Sequence, residues 1–129
     1  MILGVGVDII EIDRIEKVTK NQKEFFNKIF TENELEYFKQ RSMNSEVIAG
    51  NFAAKEAISK TLGTGIRKIS FYDIEILRDK LGKPVVTMDG KIKNNIELMF
   101  GCGQVYKIHV TISHSKNNAI AYAILECLN

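Results

Sequence analysis

The sequence of 129 residues has few of the residues that define several protein classes. Its two cysteines, Cys102 and Cys127, form no Cys-x-x-Cys pair, so it has neither the disulfide framework of a small secreted domain nor a redox motif. We therefore expect both to be reduced thiols. Its one proline is Pro84, and it has no internal repeat, low-complexity tract or linker, which predicts a single domain over residues 1–129.

The sequence also has no strong excess of charge. A formal net charge of +2 is too small to indicate a nucleic-acid partner, and 45% hydrophobic with 26% charged residues is typical of a globular protein. The N-terminal stretch MILGVGVD has no basic segment and contains an acid, so it predicts neither a secretory signal nor a membrane span. We expect a cytoplasmic protein with no nucleic-acid or membrane partner.

The first residues predict a strand with two different faces. Apolar residues alternate with period two over residues 2–12, and one face is wholly apolar. The opposite face carries Asp8 beside two glycines, Gly4 and Gly6.

Helices are predicted next. Residues 13–30 have a helical and basic pattern, and Thr31 with Glu34 forms a capping-box signature for a second helix. A long helix that contains NFAAKEAISK follows, with Ser45 as its predicted N-cap and Gly63 as a left-handed stop.

Strands are predicted in the rest of the chain. The predicted elements are a hairpin over residues 74–88, a short helix over residues 90–100, and strands over residues 105–113 and 119–128. Helices early and strands late indicate an α+β fold, with an antiparallel sheet packed on the long helix.

Two acids, Asp8 and Glu56, fall among apolar neighbours. At the helical period Glu56 lies between Phe52 and two alanines, so its carboxylate needs a cation, a hydrogen bond or a metal to offset desolvation. If the long helix packs on the first strand, the two carboxylates converge, and Mg²⁺ suits such a pair because it takes few protein oxygens beside water and phosphate. The alternative is that Asp8 caps the first helix and Glu56 pairs with Lys60.

Groups that suit an anion follow Glu56 in the sequence. Lys60 lies about one helical turn beyond it, and Gly63-Thr64-Gly65 offers backbone N–H groups that no side chain blocks. Such a glycine-rich loop also commonly does no more than end a helix.

Both histidines lie in HVTISHS, where His109 and Ser113 share one face of a strand. The spacing of the histidines and cysteines matches no common zinc site, so contact with a phosphate or a base is the better functional interpretation. A histidine that only hydrogen-bonds a neighbour is the alternative.

Three motifs together resemble a known family. GVGVDIIEIDRI, FAAKEAISKTLGTGI and HVTISHSKNNAIAYAI are similar to the holo-acyl-carrier-protein synthase family, the small type of 4′-phosphopantetheinyl transferase, across nearly the whole chain. The first two motifs are specific in combination. The resemblance implies that family's fold, a homotrimer with active sites between subunits, and Mg²⁺-dependent transfer of phosphopantetheine from coenzyme A to a serine of an acyl carrier protein. Adenosine 3′,5′-bisphosphate is released, and the carrier becomes active for fatty acid biosynthesis.

The resemblance also implies roles for individual residues. Asp8 and Glu56 are the implied magnesium ligands, and Lys60 neutralises phosphate charge during catalysis. The general base is either one of these carboxylates or a metal-bound water. The implied coenzyme A contacts are Lys60, Gly63, Thr64, Gly65, Lys83, His109 and Ser113.

One position departs from the family pattern. Relatives often have arginine where this chain has Asn51, so a cationic contact to the nucleotide is missing there unless Arg67, Lys68 or Lys83 replaces it.

The first helical segment carries a run of positive charges. Arg14, Lys17 and Lys28 are the predicted contacts to the carrier, an acidic protein, and two phenylalanines interleave with the run. An ordinary solvated face is the alternative, because acidic residues partly offset the charge.

Two other classes of function remain open. A non-catalytic module would hold coenzyme A or a nucleotide in the same pocket without turnover. A metal-dependent pyrophosphohydrolase would use water as acceptor and cleave coenzyme A without a carrier.

Overall fold

The computed structural model of the chain describes residues 1–63, 70–103 and 105–128. The helices are Ile12–Asn21 (α1), Lys23–Ile29 (α2), Glu32–Gln40 (α3), Ser45–Thr61 (α4) and Gly90–Phe100 (α5). The strands are Ile2–Glu11 (β1), Ile74–Arg78 (β2), Pro84–Met88 (β3), Tyr106–His114 (β4) and Asn118–Cys127 (β5). None of the helices in these ranges has both the length and the apolar character needed to cross a membrane.

An antiparallel sheet packed on a long helix forms the centre of the fold. The strand order is β1-β5-β4, and β2 pairs with β3 as the predicted hairpin. Helix α4 lies across one face of the sheet, where Ile58 and Leu62 join the inward-facing Ala121, Ala123 and Leu125 of β5 in one buried cluster. The predicted α+β architecture is therefore confirmed.

A second buried cluster lies between α1, α2, α3 and the first turns of α4. Its centre is aromatic: the rings of Phe26 and Phe30 are 4.9 Å apart, and Phe38 meets Phe30 edge to face at 4.9 Å. Contacts between aromatic rings stabilise a core by more than the burial of their apolar surface alone. This cluster attaches the predicted basic helical region to α4.

Strand β1 lies close to α4 because of two glycines. A Cβ atom at Gly4 would overlap the backbone oxygen of Thr61, and one at Gly6 would overlap that of Ala57. Side chains at these positions would therefore push the helix off the strand. The Gly-x-Gly spacing sets the register of β1 against α4 and aims Asp8, the next residue on that face, at the preceding helical turn.

The other face of the sheet, which we call the outer face, is apolar and exposed in this chain. Its exposed apolar members are Val5, Val7, Ile9, Ile120 and Tyr122. In β1 the side chain of Ile9 is 63% exposed, because α4 covers the glycine and aspartate face instead. From Val5 to Ile9, the apolar face predicted for the first strand is thus the face that the helix leaves uncovered, whereas Leu3 packs partly buried against the core.

The helical region differs in detail from the prediction. The segment before Thr31 is two helices, because Gln22 interrupts it with φ −136° and ψ 61°. The predicted capping box is present: the Thr31 hydroxyl accepts from the Glu34 N–H, and the Glu34 carboxylate accepts from the Thr31 N–H. The N-cap predicted at Ser45 is wrong by one residue, since the Asn44 side chain accepts from the backbone of the first turn.

The expectation of reduced cysteines is wrong. Cys102 and Cys127 form a disulfide, because the turn after α5 lies beside the end of β5. The Leu128 N–H donates to the Val105 carbonyl at 2.8 Å and holds these two segments together. The bond joins residues 25 positions apart, a tertiary contact that sequence spacing does not show.

Candidate active site

Asp8 and Glu56 lie at one cavity between β1, α1, α2 and α4. The cavity has a volume of about 310 Å³, and both acids line it together with Arg14. Asp8 reaches the cavity from β1. Glu56 reaches it from α4, where it precedes Ala57, the residue whose backbone lies against Gly6. We call it the acidic cavity.

The Asp8 carboxylate disfavours the charge of Glu56. Burial raises the pKa of the Glu56 carboxyl above its ordinary value, the nearby Asp8 carboxylate raises this pKa further, and Lys60 partly opposes the rise. A cation placed between the acids would relieve both the desolvation and the repulsion.

Lys60 contacts the strand rather than Glu56. Its ammonium donates to the Val7 carbonyl at 2.9 Å and lies 3.4 Å from Asp8 Oδ1. Asp8 is also not the cap of α1, whose N-cap is Glu11 and has no side-chain capping bond. The alternative interpretation of Asp8 as a cap and Glu56 as a partner of Lys60 therefore does not fit the structure.

The loop predicted to hold phosphate is described only at its first residue. Gly63 follows α4 with φ +63°, and a Cβ atom there would meet nothing within 4 Å. The left-handed stop predicted at Gly63 is thus confirmed, since positive φ favours glycine. Thr64 and Gly65 lie outside the described residues, as do Arg67 and Lys68.

Lys83 and His109 line a second cavity between β3 and β4, with a volume of about 740 Å³. Lys93 and Lys107 also line it, so the cavity is rich in positive charge. His109 Nε2 lies 2.9 Å from Glu126 Oε1, and this hydrogen bond lowers the pKa of the Glu126 carboxyl. We call this the basic groove.

Within one chain, Asp8 lies on one face of the sheet, and His109 and Ser113 of β4 lie on the opposite face. His109 and Ser113 alternate with the inward-facing residues of β4 and are exposed, and Ser113 is not among the residues that line the basic groove. In register, His109 pairs with Ile124 and Ser113 with Ile120, so both lie on the outer face. One chain therefore does not bring Asp8 together with either of them.

The predicted carrier contacts lie beside the acidic cavity. Arg14 lines the cavity from α1, whereas Lys17 and Lys28 are exposed on α1 and α2. Phe25 is 47% exposed between them, and Phe26 is buried. A positively charged surface with one exposed aromatic ring thus adjoins the two acids.

Sequence reasoning missed the buried ion pair next to Glu56. Lys55 Nζ lies 2.6 Å from Glu34 Oε1, and both side chains are fully buried. A signal existed, because the helical period places Lys55 on the same side of α4 as Ile58 and Leu62.

Asn51 is fully buried near this pair and donates to the Ile76 carbonyl at 2.9 Å. It therefore faces β2 and not the acidic cavity.

Magnesium fits the donor set of the acidic cavity. Among residues 1–63, 70–103 and 105–128, no group of three or more histidines, cysteines and acids could hold a metal ion. Asp8 and Glu56 place two carboxylates at one cavity, which matches the few protein oxygens that Mg²⁺ takes when phosphate supplies others.

Known sequences and structures resemble this chain over nearly its whole length. A holo-[acyl-carrier-protein] synthase of Clostridium perfringens (strain 13 / Type A) is 56% identical over 126 residues, covering 98% of this chain and 95% of that protein. One of Clostridium novyi (strain NT) is 54% identical over 129 residues, covering 100% of this chain and 91% of that protein.

Solved structures agree with this likeness. The holo-(acyl-carrier-protein) synthase of Bacillus anthracis str. Ames, in complex with CoA (3′,5′-ADP), superposes with a TM-score of 0.77 at 41% identity, covering 97% of this chain and 96% of that one. The holo-[acyl-carrier-protein] synthase of Neisseria meningitidis gives a TM-score of 0.84 at 33% identity, covering 98% and 99%. The model of the 4′-phosphopantetheinyl transferase superfamily matches residues 4–123. The resemblance carried by the three motifs is thus confirmed, and the chain belongs to the 4′-phosphopantetheinyl transferase superfamily.

Proposed function

We propose that this enzyme transfers 4′-phosphopantetheine from coenzyme A to a serine of an apo acyl carrier protein, with Mg²⁺ bound at Asp8 and Glu56. The observation that supports this most directly is the convergence of these two acids beside Lys60, in a chain that is 56% identical to a holo-[acyl-carrier-protein] synthase. The product, a holo carrier, would serve fatty acid biosynthesis in the cytoplasm.

In the proposed reaction, the serine hydroxyl oxygen bonds to the β-phosphorus of coenzyme A. The bond from that phosphorus to the bridging oxygen breaks, and adenosine 3′,5′-bisphosphate leaves with the electron pair. Bound Mg²⁺ would supply positive charge for the pyrophosphate oxygens. The serine proton would leave towards the carboxylates of Asp8 and Glu56, either directly or through a water that they hold.

Lys60 holds positive charge where negative charge develops. Its side chain is about half exposed, at 52%, so the ammonium can turn from Asp8 to a phosphate oxygen without a burial cost. The apolar side chains of Ile15, Phe26 and Phe52 line the acidic cavity beside the two acids, and such a low-dielectric lining strengthens electrostatic interactions there.

For the nucleotide end of coenzyme A, the proposed contacts are Gly63, Thr64, Gly65, Lys83, His109 and Ser113. The clustering of Lys83 and His109 with two more lysines in the basic groove supports phosphate binding there.

We further propose that the chain is a homotrimer whose sites combine residues of two subunits. The exposed outer face supports this, since apolar residues in one contiguous patch favour burial against another chain. The separation of Asp8 from His109 within one chain supports shared sites, because a neighbouring subunit could supply the second residue.

The carrier would dock on α1 and α2 through Arg14, Lys17 and Lys28. Their position beside the acidic cavity supports this, because a docked acidic protein could present its serine to the two acids.

Mass spectrometry of an apo acyl carrier protein tests the proposed function. After incubation with this protein, coenzyme A and Mg²⁺, the carrier should gain the mass of one phosphopantetheine group. A carrier with its serine changed to alanine, and a reaction with EDTA, should show no gain. Coenzyme A that is cleaved without any carrier would instead indicate a hydrolase, and binding without turnover would indicate a non-catalytic module.

A further inference from the structure

The buried carboxylate of Glu34 connects three elements. Its Oε1 accepts from Lys55 Nζ at 2.6 Å and from the Thr31 N–H at 2.9 Å, so it pairs with α4 while it caps α3. Its Oε2 accepts from the Ile76 N–H at 3.0 Å, which ties it to β2. A helix-capping residue thus also holds α4 against the β2–β3 hairpin.

Lys55 connects further segments from the other side of the pair. Its ammonium also lies within hydrogen-bond distance of three carbonyl oxygens: Ile29 at the end of α2 at 2.9 Å, Phe71 at 2.9 Å and Ile74 at 2.5 Å. With Glu34 these are four acceptors for three N–H groups, so one N–H is shared between two acceptors. It also lies 5.3 Å from the centre of the Phe30 ring. The ammonium therefore binds the backbone of three segments outside α4, and its position is set by several bonds together.

One of the segments bound by Lys55 lines the acidic cavity, and a second packs on a residue that lines it. Ile29 and Phe30 line the cavity directly. Phe52 lines it from α4, and the Phe71 ring packs edge to face on Phe52 at 6.0 Å. Lys55 immediately precedes Glu56 in the chain, so one helical residue fixes the wall while the next supplies the acid.

We propose that the Glu34–Lys55 pair is a positioning pair for the transfer reaction, which fixes the α2 wall of the acidic cavity at a set distance from Glu56. The proposal rests on the proposed function. Neither side chain touches substrate; the pair acts through Ile29, Phe30 and Phe52.

Stability alone does not explain such a pair. Burial raises the pKa of the Glu34 carboxyl and lowers that of the Lys55 ammonium, with the mutual attraction opposing both shifts. Burial therefore disfavours both charges, and packed neutral residues commonly replace buried ion pairs without loss of stability. What a neutral pair cannot reproduce is the set of directed hydrogen bonds from one ammonium to three backbone carbonyls.

The test compares two variants that separate folding from positioning. Lys55→Met leaves the Glu34 carboxylate buried and without its cation, so we expect this variant to be strongly destabilised. The double variant Glu34→Gln/Lys55→Met removes both charges and keeps a side-chain oxygen for the α3 cap. A matched control, Ile96→Ala on α5, opens a cavity in the other buried cluster and removes none of the donors or acceptors of the network.

We expect the double variant to fold and to bind adenosine 3′,5′-bisphosphate, measured by calorimetry, within about threefold of the wild type. Its kcat for carrier modification should fall by about 10- to 100-fold, the usual range for loss of a group that orients an active-site residue. Hydrogen exchange should quicken in residues 23–30 and not in α5. Ile96→Ala should have a lower Tm and a wild-type kcat below its transition.

Wild-type kcat in the double variant, with unchanged exchange in residues 23–30, would show that the pair has only a structural role. Faster exchange throughout the molecule, including α5, with equal loss of nucleotide binding, would also overturn the proposal. If the wild type itself transfers nothing, the proposed function fails, whereas the exchange experiment still decides whether the pair fixes the α2 wall.

Discussion

Lys60 Nζ lies 3.4 Å from Asp8 Oδ1 and hydrogen-bonds to the carbonyl of Val7, so it connects the helix that carries Glu56 to the strand that carries Asp8. The side chain of Lys60 is 52% exposed, whereas that of Asp8 is 19% exposed. This arrangement places one cation beside two carboxylates that repel each other.

Replacement of Lys60 by glutamine should lower kcat/KM for coenzyme A by about 100-fold, because the positive charge beside the developing phosphate charge is lost. Lys60→Arg keeps the charge and should lose less. Steady-state rates of carrier modification measure both. An equal loss in the two variants would show that the charge of Lys60 is not its contribution.

Asp8→Ala and Glu56→Ala should each abolish transfer while the protein stays folded. Removal of either acid takes away a proposed metal ligand and also relieves the repulsion that raises the pKa of Glu56. Circular dichroism beside the mass-spectrometric assay is the measurement. An unfolded variant, or a magnesium-dependent rate equal to the wild type, would contradict the metal assignment.

The stability of the metal-free protein should depend on pH through Glu56. Because the folded-state pKa of this carboxyl is raised from 4.5, its protonated form stabilises the fold fully below pH 4.5, and this contribution is lost as pH rises through the folded pKa. In EDTA, the Tm of Glu56→Gln should therefore exceed that of the wild type increasingly as pH rises. Added Mg²⁺ should raise the Tm of the wild type and not of the variant. A Tm difference that is constant with pH would contradict this.

Arg14→Glu should weaken binding of the acidic carrier by about tenfold and leave the affinity for coenzyme A unchanged, since charge complementarity mainly governs the encounter of the two proteins. The wild-type rate at low carrier concentration should fall as salt is raised. Lys91→Glu on α5, an exposed site away from the acidic cavity, is the matched control. Equal losses for both substrates would instead place Arg14 at the nucleotide or in the fold.

Light scattering should report three chains per particle. If the sites are shared, a mixture of inactive Asp8→Ala and His109→Ala chains should regain partial activity, because some interfaces then carry both intact residues. A monomeric mass with full activity would overturn the assembly. A trimer without complementation would leave the assembly intact and show that Asp8 and His109 do not combine in one site across an interface.

Local patterns in the sequence predicted much of the fold. The capping box at Thr31 and Glu34, the hairpin of β2 and β3, and the strands β4 and β5 depend on neighbours in the chain, so periodicity and turn residues were enough to find them. The family followed from three motifs, and the family match confirms it.

From the sequence alone, the approach of Asp8 to Glu56 depended on whether the long helix packs on the first strand. The packing in the structure decided this. The sequence supplied two acids in apolar settings, and the overlap that a Cβ atom would make at Gly4 and Gly6 explains why the strand and helix lie close enough for the acids to meet.

Only the tertiary structure decided the remaining features. The Cys102–Cys127 disulfide and the Glu34–Lys55 pair join residues 25 and 21 positions apart, which no local period relates. The exposure of Val5 and its neighbours on β1 was likewise undecided, because an apolar alternation identifies a face but not the partner that covers it. Helix α4 packs on the glycine face since only there can its backbone come close, and this leaves the apolar face outside.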